Sequence, residues 1–256
     1  MMEFFSKQLG LPVLAAESGA RVDHLIIYVH WLMIALFIGW FAYFVYALWR
    51  FRARRQPKAD YHGVRGHASS YIELVVAGIE VVILVGVAIP LWARASDVTK
   101  LPDAKEATTI QIVAQQFAWN ARYAGKDQVF GKQDMRFVAE GNVFGVDPND
   151  ATGKDDVQVL NEIHVPVNKP VIAYVSSKDV IHSFKIIAMR VTQDAIPGMR
   201  IPCWFKPTKE GKYQINCAQL CGNGHTGMSG GYLVVESQAD YDKWLASKTG
   251  GNVSYE

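Results

Sequence analysis

The chain has 256 residues, half of them hydrophobic, and a formal net charge of only +2. This small charge, without a clustered basic and aromatic stripe, argues against nucleic acid as a partner. The three cysteines leave at least one thiol unpaired, which excludes a small secreted domain held together by disulfides. The high apolar content indicates instead that part of the chain lies in a lipid bilayer.

Residues 1–22 form an N-terminal segment before the first long apolar run. The segment has an early lysine, a short apolar stretch and small residues that resemble a cleavage site, so a removed signal peptide is one interpretation. An unstructured or interfacial segment is the other.

Residues 23–96 predict a transmembrane helical hairpin. The run 25–49 has no formal charge and is long enough to span a hydrocarbon core of about 30 Å. A second run of spanning length, 73–93, is interrupted by Glu80. The loop between them has one acid, Asp60, and six basic residues, which are Arg50, Arg52, Arg54, Arg55, Lys58 and Arg65. The positive-inside rule places this loop in the cytoplasm and both termini outside.

Residues 97–256 predict an extracytoplasmic, all-β domain. Short runs of β-branched or aromatic residues are separated by Gly, Pro, Asn and Asp, as in a sandwich or barrel. The runs are TTIQIVAQQFAW, VQVLNEIHV, KPVIAYVSS, HSFKIIA, RIPCWFKP, GKYQINC and GGYLVVES. Residues 124–156 contain many turn residues and predict a long excursion between strands. The run QADYDKWLASK predicts a short C-terminal helix.

Five potential metal ligands come late in the chain. They are His182, Cys217, Cys221, His225 and Met228, the last four within CAQLCGNGHTGM. Two thiolates, two imidazoles and a thioether form a soft set that suits copper better than magnesium or calcium. A mononuclear blue-copper site needs only one cysteine, so one thiolate would be surplus. Two bridging thiolates would instead join two coppers, each with one histidine.

The motifs DVIHSF, DAIPGM and CAQLCGNGHTGM, after two apolar helices, resemble subunit II of haem–copper cytochrome c oxidases from about residue 22 to 248. The resemblance implies a cupredoxin-like domain with a dinuclear copper centre, CuA. This centre accepts electrons from cytochrome c and passes them to haem in the catalytic subunit, which reduces O2 to water and pumps protons. The implied ligands are the five residues above and the backbone oxygen of Gln219.

The implied partners are the catalytic subunit I, other oxidase subunits, a soluble or membrane-bound c-type cytochrome, and the lipid bilayer, in what we expect to be a bacterial inner membrane. This chain itself would hold no catalytic residue for O2 reduction. It has no C-x-x-C-H motif, so no covalent haem is expected.

Three positions bear on how far the resemblance extends. Gln219 replaces a glutamate that usually helps to bind magnesium, and the loss of an anionic oxygen argues against a magnesium site here. Phe117 and Trp119 stand where the family has an aromatic entry patch, so both are candidates for electron entry, with a packing role as the alternative for Trp119. Glu73 aligns with an acid at the mouth of a proton channel and is a proton-entry candidate; the alternative is an interfacial carboxylate at a helix end.

Three other functions are compatible with parts of the sequence. A membrane-anchored copper carrier or assembly protein would bind copper without relaying electrons. A structural zinc domain would use the cysteines and histidines but would leave Met228 idle. A quinol oxidase subunit II shares the architecture but lacks the copper ligands, so the intact set argues against it.

Overall fold

The computed structural model describes residues 7–58, 61, 62, 66–97, 99 and 101–248. Asp60 and Arg65 of the predicted basic loop lie outside the described residues, as do residues 1–6 of the predicted N-terminal segment. The chain divides into two compact units, one containing Arg21–Ser96 and the other containing Pro12–Ala20 together with the chain from Asp97 onward.

The first unit contains two long apolar helical stretches. Helix α1 is Gly19–Arg50; the second stretch consists of α2, Ala68–Ile83, a π-helical turn, Leu84–Ala88, and α3, Ile89–Ser96. Both exceed the roughly 20 residues that cross a bilayer, and most of their large apolar side chains are exposed, as expected for helices solvated by lipid. The two predicted apolar helices are confirmed, and each begins several residues before its predicted start.

The π-helical turn has a local cause in the sequence. Pro90 lies two residues after this turn, and proline has no N–H to donate to the carbonyl four residues earlier. Here the backbone N–H of Ile89 donates to the oxygen of Leu84, five residues earlier instead of four. Such a local rearrangement lets a helix pass a proline without a break.

The second unit is a β-sandwich of two five-stranded sheets, which confirms the predicted all-β, cupredoxin-like class. The strands are β1 Thr108–Gln115, β2 Ala118–Tyr123, β3 Val157–Leu160, β4 Glu162–Pro166, β5 Val171–Ser177, β6 His182–Ile186, β7 Val191–Ala195, β8 Ile201–Phe205, β9 Gly211–Cys217 and β10 Gly231–Glu236. One sheet has the order β3-β2-β1-β5-β8 and the other β4-β10-β9-β6-β7.

The core of the sandwich lies between the sheets and follows from alternation along the strands. In β10 every second residue is buried, including Leu233 and Val235. Ile110 and Ile112 of β1 belong to the same buried cluster as Phe184 of β6. One continuous apolar core therefore joins the two sheets.

Two of the predicted strand runs each divide into two strands. TTIQIVAQQFAW becomes β1 and β2, which form an antiparallel hairpin that turns at Gln116 and Phe117. VQVLNEIHV becomes β3 and β4, which belong to different sheets. Asn161 between them has a φ of 58°, a left-handed conformation that asparagine tolerates better than most residues. Strand β7 was not among the predicted runs.

Residues 12–20 pack against the β-sandwich. The N–H of Ala15 donates to the oxygen of Ala188 (2.8 Å), and the oxygen of Ala15 accepts from the N–H of Thr208 (2.8 Å). Ala15 and Ala16 are buried in the apolar core. Part of the predicted N-terminal segment is thus integrated into the β unit by long-range backbone hydrogen bonds.

The excursion of residues 124–156 connects β2 to β3 and is fastened by a buried ion pair. Arg122 donates from Nε and Nη2 to the carboxylate of Asp156, and both side chains are almost fully buried. Arg122 Nη2 also donates to the oxygen of Gly131 (2.9 Å), within the excursion.

The predicted C-terminal helix is confirmed as α4, Gln238–Lys248. Its Trp244 ring stacks on the His164 ring, with 4.1 Å between the ring centroids.

The buried pair gives a first testable prediction. Replacing Asp156 with Ala leaves the Arg122 guanidinium buried without its counter-ion, so the free energy of unfolding should fall by about 3–5 kcal/mol. Guanidinium unfolding of the full chain in detergent, followed by near-ultraviolet circular dichroism, measures this loss. Asp134→Ala is the control, because its pair with Arg136 is largely exposed and its cap of a single 3₁₀ turn is worth only about 1 kcal/mol, so a much smaller loss is expected. Equal losses in the two variants would contradict the assigned role of Asp156.

Candidate metal centre

The predicted ligands come together at one end of the second sheet. His182 is the first residue of β6, and Cys217 is the last residue of the adjacent strand β9. The two strands pair antiparallel with Phe184 opposite Cys217, which brings together two ligands that are 35 residues apart in sequence. Cys221 lies in the loop after β9, and His225 and Met228 lie in the 3₁₀ turn that ends this loop, His225–Gly230.

The donor atoms of four of these side chains lie next to one another, with each cysteine sulfur close to the other sulfur and to one histidine nitrogen. The Sγ of Cys217 lies 4.0 Å from His182 Nδ1 and 3.9 Å from the Sγ of Cys221, which lies 3.3 Å from His225 Nδ1. The three donor atoms of His182, Cys217 and Cys221 lie within 4.8 Å of one another. Since metal–thiolate bonds are about 2.3 Å long, one ion can bond to both sulfurs across this gap.

The remaining predicted ligands lie in the same place. Met228 is fully buried, and its backbone oxygen accepts a hydrogen bond from Trp119 Nε1 (3.0 Å). The backbone oxygen of Gln219 lies 3.1 Å from the Sγ of Cys217, whereas the Gln219 residue is exposed. Five of the six predicted ligand residues are therefore linked by donor-atom distances of 4.0 Å or less, and they are His182, Cys217, Gln219, Cys221 and His225. Met228 is buried three residues after His225 in the same 3₁₀ turn.

His182 has a carboxylate partner on the side of its ring opposite the thiols. Its Nε2 lies 2.8 Å from Asp179 Oδ1, while Nδ1 faces Cys217. Metal-binding histidines commonly donate their second ring N–H to a carboxylate, which fixes the orientation of the ring. Burial opposes ionisation of Asp179, but hydrogen bonds from the Gln116 backbone N–H and from His182 lower the net pKa of this carboxyl below its usual value.

The two thiols need a positive charge between them in order to ionise together. Burial and, after it, the neighbouring Cys217 together raise the pKa of Cys221 to about 11. Two thiolates this close in a desolvated site repel each other, and a bound cation removes this penalty. The chemistry of the donor set therefore fits a soft metal cation.

Cys203 is separate from this cluster. It lies in β8 of the other sheet, opposite Ala173 of β5, and packs against the apolar core. Burial raises the pKa of its thiol to about 12, so it stays protonated at neutral pH. Its surroundings are those of a packed apolar thiol.

The two candidates for electron entry occupy different environments. Trp119 is completely buried, with its ring edge-to-face against Phe184 at 5.3 Å between centroids. Phe117 is half-buried and lies beside the ligand loop, where a Cβ added to Gly224 would come within 2.4 Å of its ring. Of the two, only Phe117 has surface that an electron donor is able to contact.

Glu73, the proton-entry candidate, lies in the second turn of α2 with its side chain exposed.

Sequence reasoning missed two polar residues at the site. The sequence does contain a signal for Asp179, because an acid three residues before a metal-binding histidine is close enough to bind and orient the histidine ring. Gln116 had no comparable signal, since its contact with Cys221 joins residues 105 apart in the chain.

Comparisons with known proteins identify the family of this chain. A family model for the periplasmic domain of cytochrome c oxidase subunit II matches residues 108–237. The alternative cytochrome c oxidase subunit 2 of Bradyrhizobium diazoefficiens is 28% identical, over 96% of this chain and 86% of that protein. The probable cytochrome c oxidase subunit 2 of Rickettsia bellii is 30% identical, over 84% of this chain and 74% of that protein.

Among solved structures, the periplasmic domain of subunit II of cytochrome oxidase, CoxB, from Bradyrhizobium japonicum is 29% identical. It covers 58% of this chain and 96% of its own, with a TM-score of 0.42. The family match extends over half of the present chain and includes the ligand loop. The chain belongs to the cytochrome c oxidase subunit II family.

Proposed function

We propose that this chain is the electron-entry subunit of a haem–copper terminal oxidase. In this role it takes electrons from a c-type cytochrome at a dinuclear copper site and relays them to haem in catalytic subunit I, which reduces O2 to water and pumps protons. The observation that carries the proposal is the pair of buried thiols 3.9 Å apart, each with an imidazole nitrogen within 4.0 Å of its sulfur. Two sulfurs and two imidazole nitrogens would provide ligands for two copper ions.

Each ligand has a proposed place in the site. Cys217 and Cys221 would be shared by the two metals, and His182 and His225 would each bind one of them. Met228 and the backbone oxygen of Gln219 would supply the remaining ligands. When bound, the copper pair would supply a one-electron redox centre in a buried, low-dielectric setting.

The fold favours fast electron transfer by holding these ligands firmly. His182 begins a strand and Cys217 ends the adjacent strand, so the ladder between β6 and β9 fixes their spacing. Asp179 fixes the His182 ring, and the buried Trp119 binds the backbone of Met228. A site built on strands and supported by hydrogen bonds changes little in shape when its charge changes.

Electron entry is assigned to Phe117 because it has exposed surface and touches the ligand loop. Three other large apolar residues next to ligands in the sequence are also exposed: Val180, Ile181 and Leu220, of which Leu220 is 87% exposed. Apolar surface of this kind beside a functional site is typical of a protein interface. We assign it to contact with the other oxidase subunits.

Membrane topology and proton entry complete the proposal. By the positive-inside rule, the basic residues between α1 and α2 support a cytoplasmic loop, and we propose that the copper domain lies on the periplasmic side of a bacterial inner membrane. Glu73, near the cytoplasmic start of α2, is proposed to collect protons for the catalytic subunit. The neutral side chain of Gln219 offers no anionic oxygen, so we propose that it does not bind magnesium.

Copper loading of the full chain in detergent tests the proposed centre. We expect two coppers per chain and a paramagnetic resonance spectrum in which one unpaired electron is shared by two equivalent copper nuclei. Cys217→Ser and Cys221→Ser should abolish this spectrum because each removes a bridging sulfur, whereas Cys203→Ser should retain it. A spectrum from a single copper nucleus would favour a carrier or assembly protein, and selective zinc binding would favour a structural zinc domain.

Native purification tests the partners. Extraction of the membranes with mild detergent should yield this chain together with a large haem-bearing subunit, because the two apolar helices and the exposed apolar residues beside the ligand loop need to be covered. Absorption spectroscopy detects the haem, and gel electrophoresis detects the subunit. Recovery of the chain as a detergent-free monomer without haem would contradict the assignment.

A further inference from the structure

Gln116 contacts two separate parts of the candidate metal centre, the Asp179 carboxylate beside His182 and the loop that contains Cys221. It lies in the turn between β1 and β2, and its backbone N–H donates to Asp179 Oδ2 (2.7 Å). The other oxygen of Asp179 binds His182 Nε2 (2.8 Å). On the second side, the side-chain Nε2 of Gln116 donates to the backbone oxygen of Cys221 (2.6 Å). One residue thus holds the carboxylate that orients a histidine and the backbone of a bridging cysteine.

The ligand loop lies directly on this turn. A Cβ added to Gly222 would come within 2.8 Å of Gln116 Nε2, and one added to Gly224 would come within 2.4 Å of the Phe117 ring. Gly222 also has a φ of 134°, a conformation that residues with side chains rarely adopt. The two glycines therefore let the loop approach the turn closely enough for the hydrogen bond to Cys221 to form.

The position of Cys221 depends on this contact. Its Sγ must stay near both Cys217, at 3.9 Å, and His225, at 3.3 Å, if it is to bridge two ions. The loop from residue 219 to 224 is irregular and follows the bond from the Ala218 N–H to the Ser183 oxygen (3.0 Å), so the β ladder does not fix its backbone. A short hydrogen bond from a neighbouring turn supplies a restraint on this loop.

We propose that Gln116 is a positioning residue of the copper centre. It holds the backbone of Cys221 in a fixed position relative to His182. This inference rests on the proposed function. In this role Gln116 contacts neither the metal ions nor the side-chain atoms that bind them. It acts through the backbone of Cys221 and the carboxylate of Asp179.

Two substitutions isolate the side-chain contact. Both variants keep the backbone N–H that binds Asp179. Gln116→Ala removes the side-chain amide, whereas Gln116→Glu keeps the size of the side chain but replaces its N–H donor by an acceptor oxygen. Gln133→Ala is the matched control, because Gln133 Nε2 also donates to a backbone oxygen, that of Phe144 (3.0 Å), outside the ligand set. All variants are made in the full chain, purified in detergent and loaded with copper.

We expect both Gln116 variants to bind copper about 10–100-fold more weakly than the unaltered chain in competition with a chelator. Their paramagnetic resonance spectra should show unequal coupling to the two copper nuclei, a change that a general loss of stability does not produce. Gln133→Ala should match the unaltered chain in both measurements. Near-ultraviolet circular dichroism should show that the β domain of both Gln116 variants remains folded.

Unchanged affinity and spectra in both Gln116 variants would overturn the positioning role while leaving the copper relay intact. Loss of the folded spectrum in both would also overturn it, since Gln116 would then support the whole domain instead of the metal centre. If Gln116→Ala alone unfolds, Gln116→Glu decides the matter. Absence of a two-copper spectrum in the unaltered chain would refute the proposed function itself, which distinguishes the two failures.

Discussion

Two cysteine thiols held 3.9 Å apart in a buried site are the constraint on which the rest of the structure depends. Their mutual repulsion on ionisation and their loss of solvent make the pair unfavourable as two bare thiolates. The same closeness makes them suitable for shared metal ions, because one ion can neutralise both charges and bond to both sulfurs. The surrounding fold is best understood as the support that keeps these two atoms, and the histidines beside them, in place.

That support comes from both sheets of the sandwich. Pairing of β6 with β9 places His182 beside Cys217, and the buried Trp119 from the opposite sheet contacts both the His182 ring and the backbone of Met228. The turn between β1 and β2 reaches the ligand loop through Gln116. Residues from distant parts of the chain thus converge on one site, and its geometry depends on correct packing of the two sheets.

Much of this arrangement was readable from the sequence because its signals are local. A run of 25 uncharged residues predicts a spanning helix without any tertiary information, and the ligands in CAQLCGNGHTGM lie within twelve residues. Long-range features were not readable. The turn at Gln116 and Phe117 contains no glycine, proline or asparagine, so the β1–β2 hairpin read as one strand. Strand β7 lies at a sheet edge and carries the polar residues of VTQDA, which weakens its apolar pattern.

X-ray absorption at the copper edge of the loaded full chain tests whether the two thiols are shared by two coppers. We expect two coppers per chain, each with sulfur and nitrogen neighbours and with a second copper as a close neighbour. Replacement of either Cys217 or Cys221 should remove the copper–copper contribution. A single copper per chain, surrounded by nitrogen and sulfur atoms without a copper neighbour, would refute the dinuclear centre.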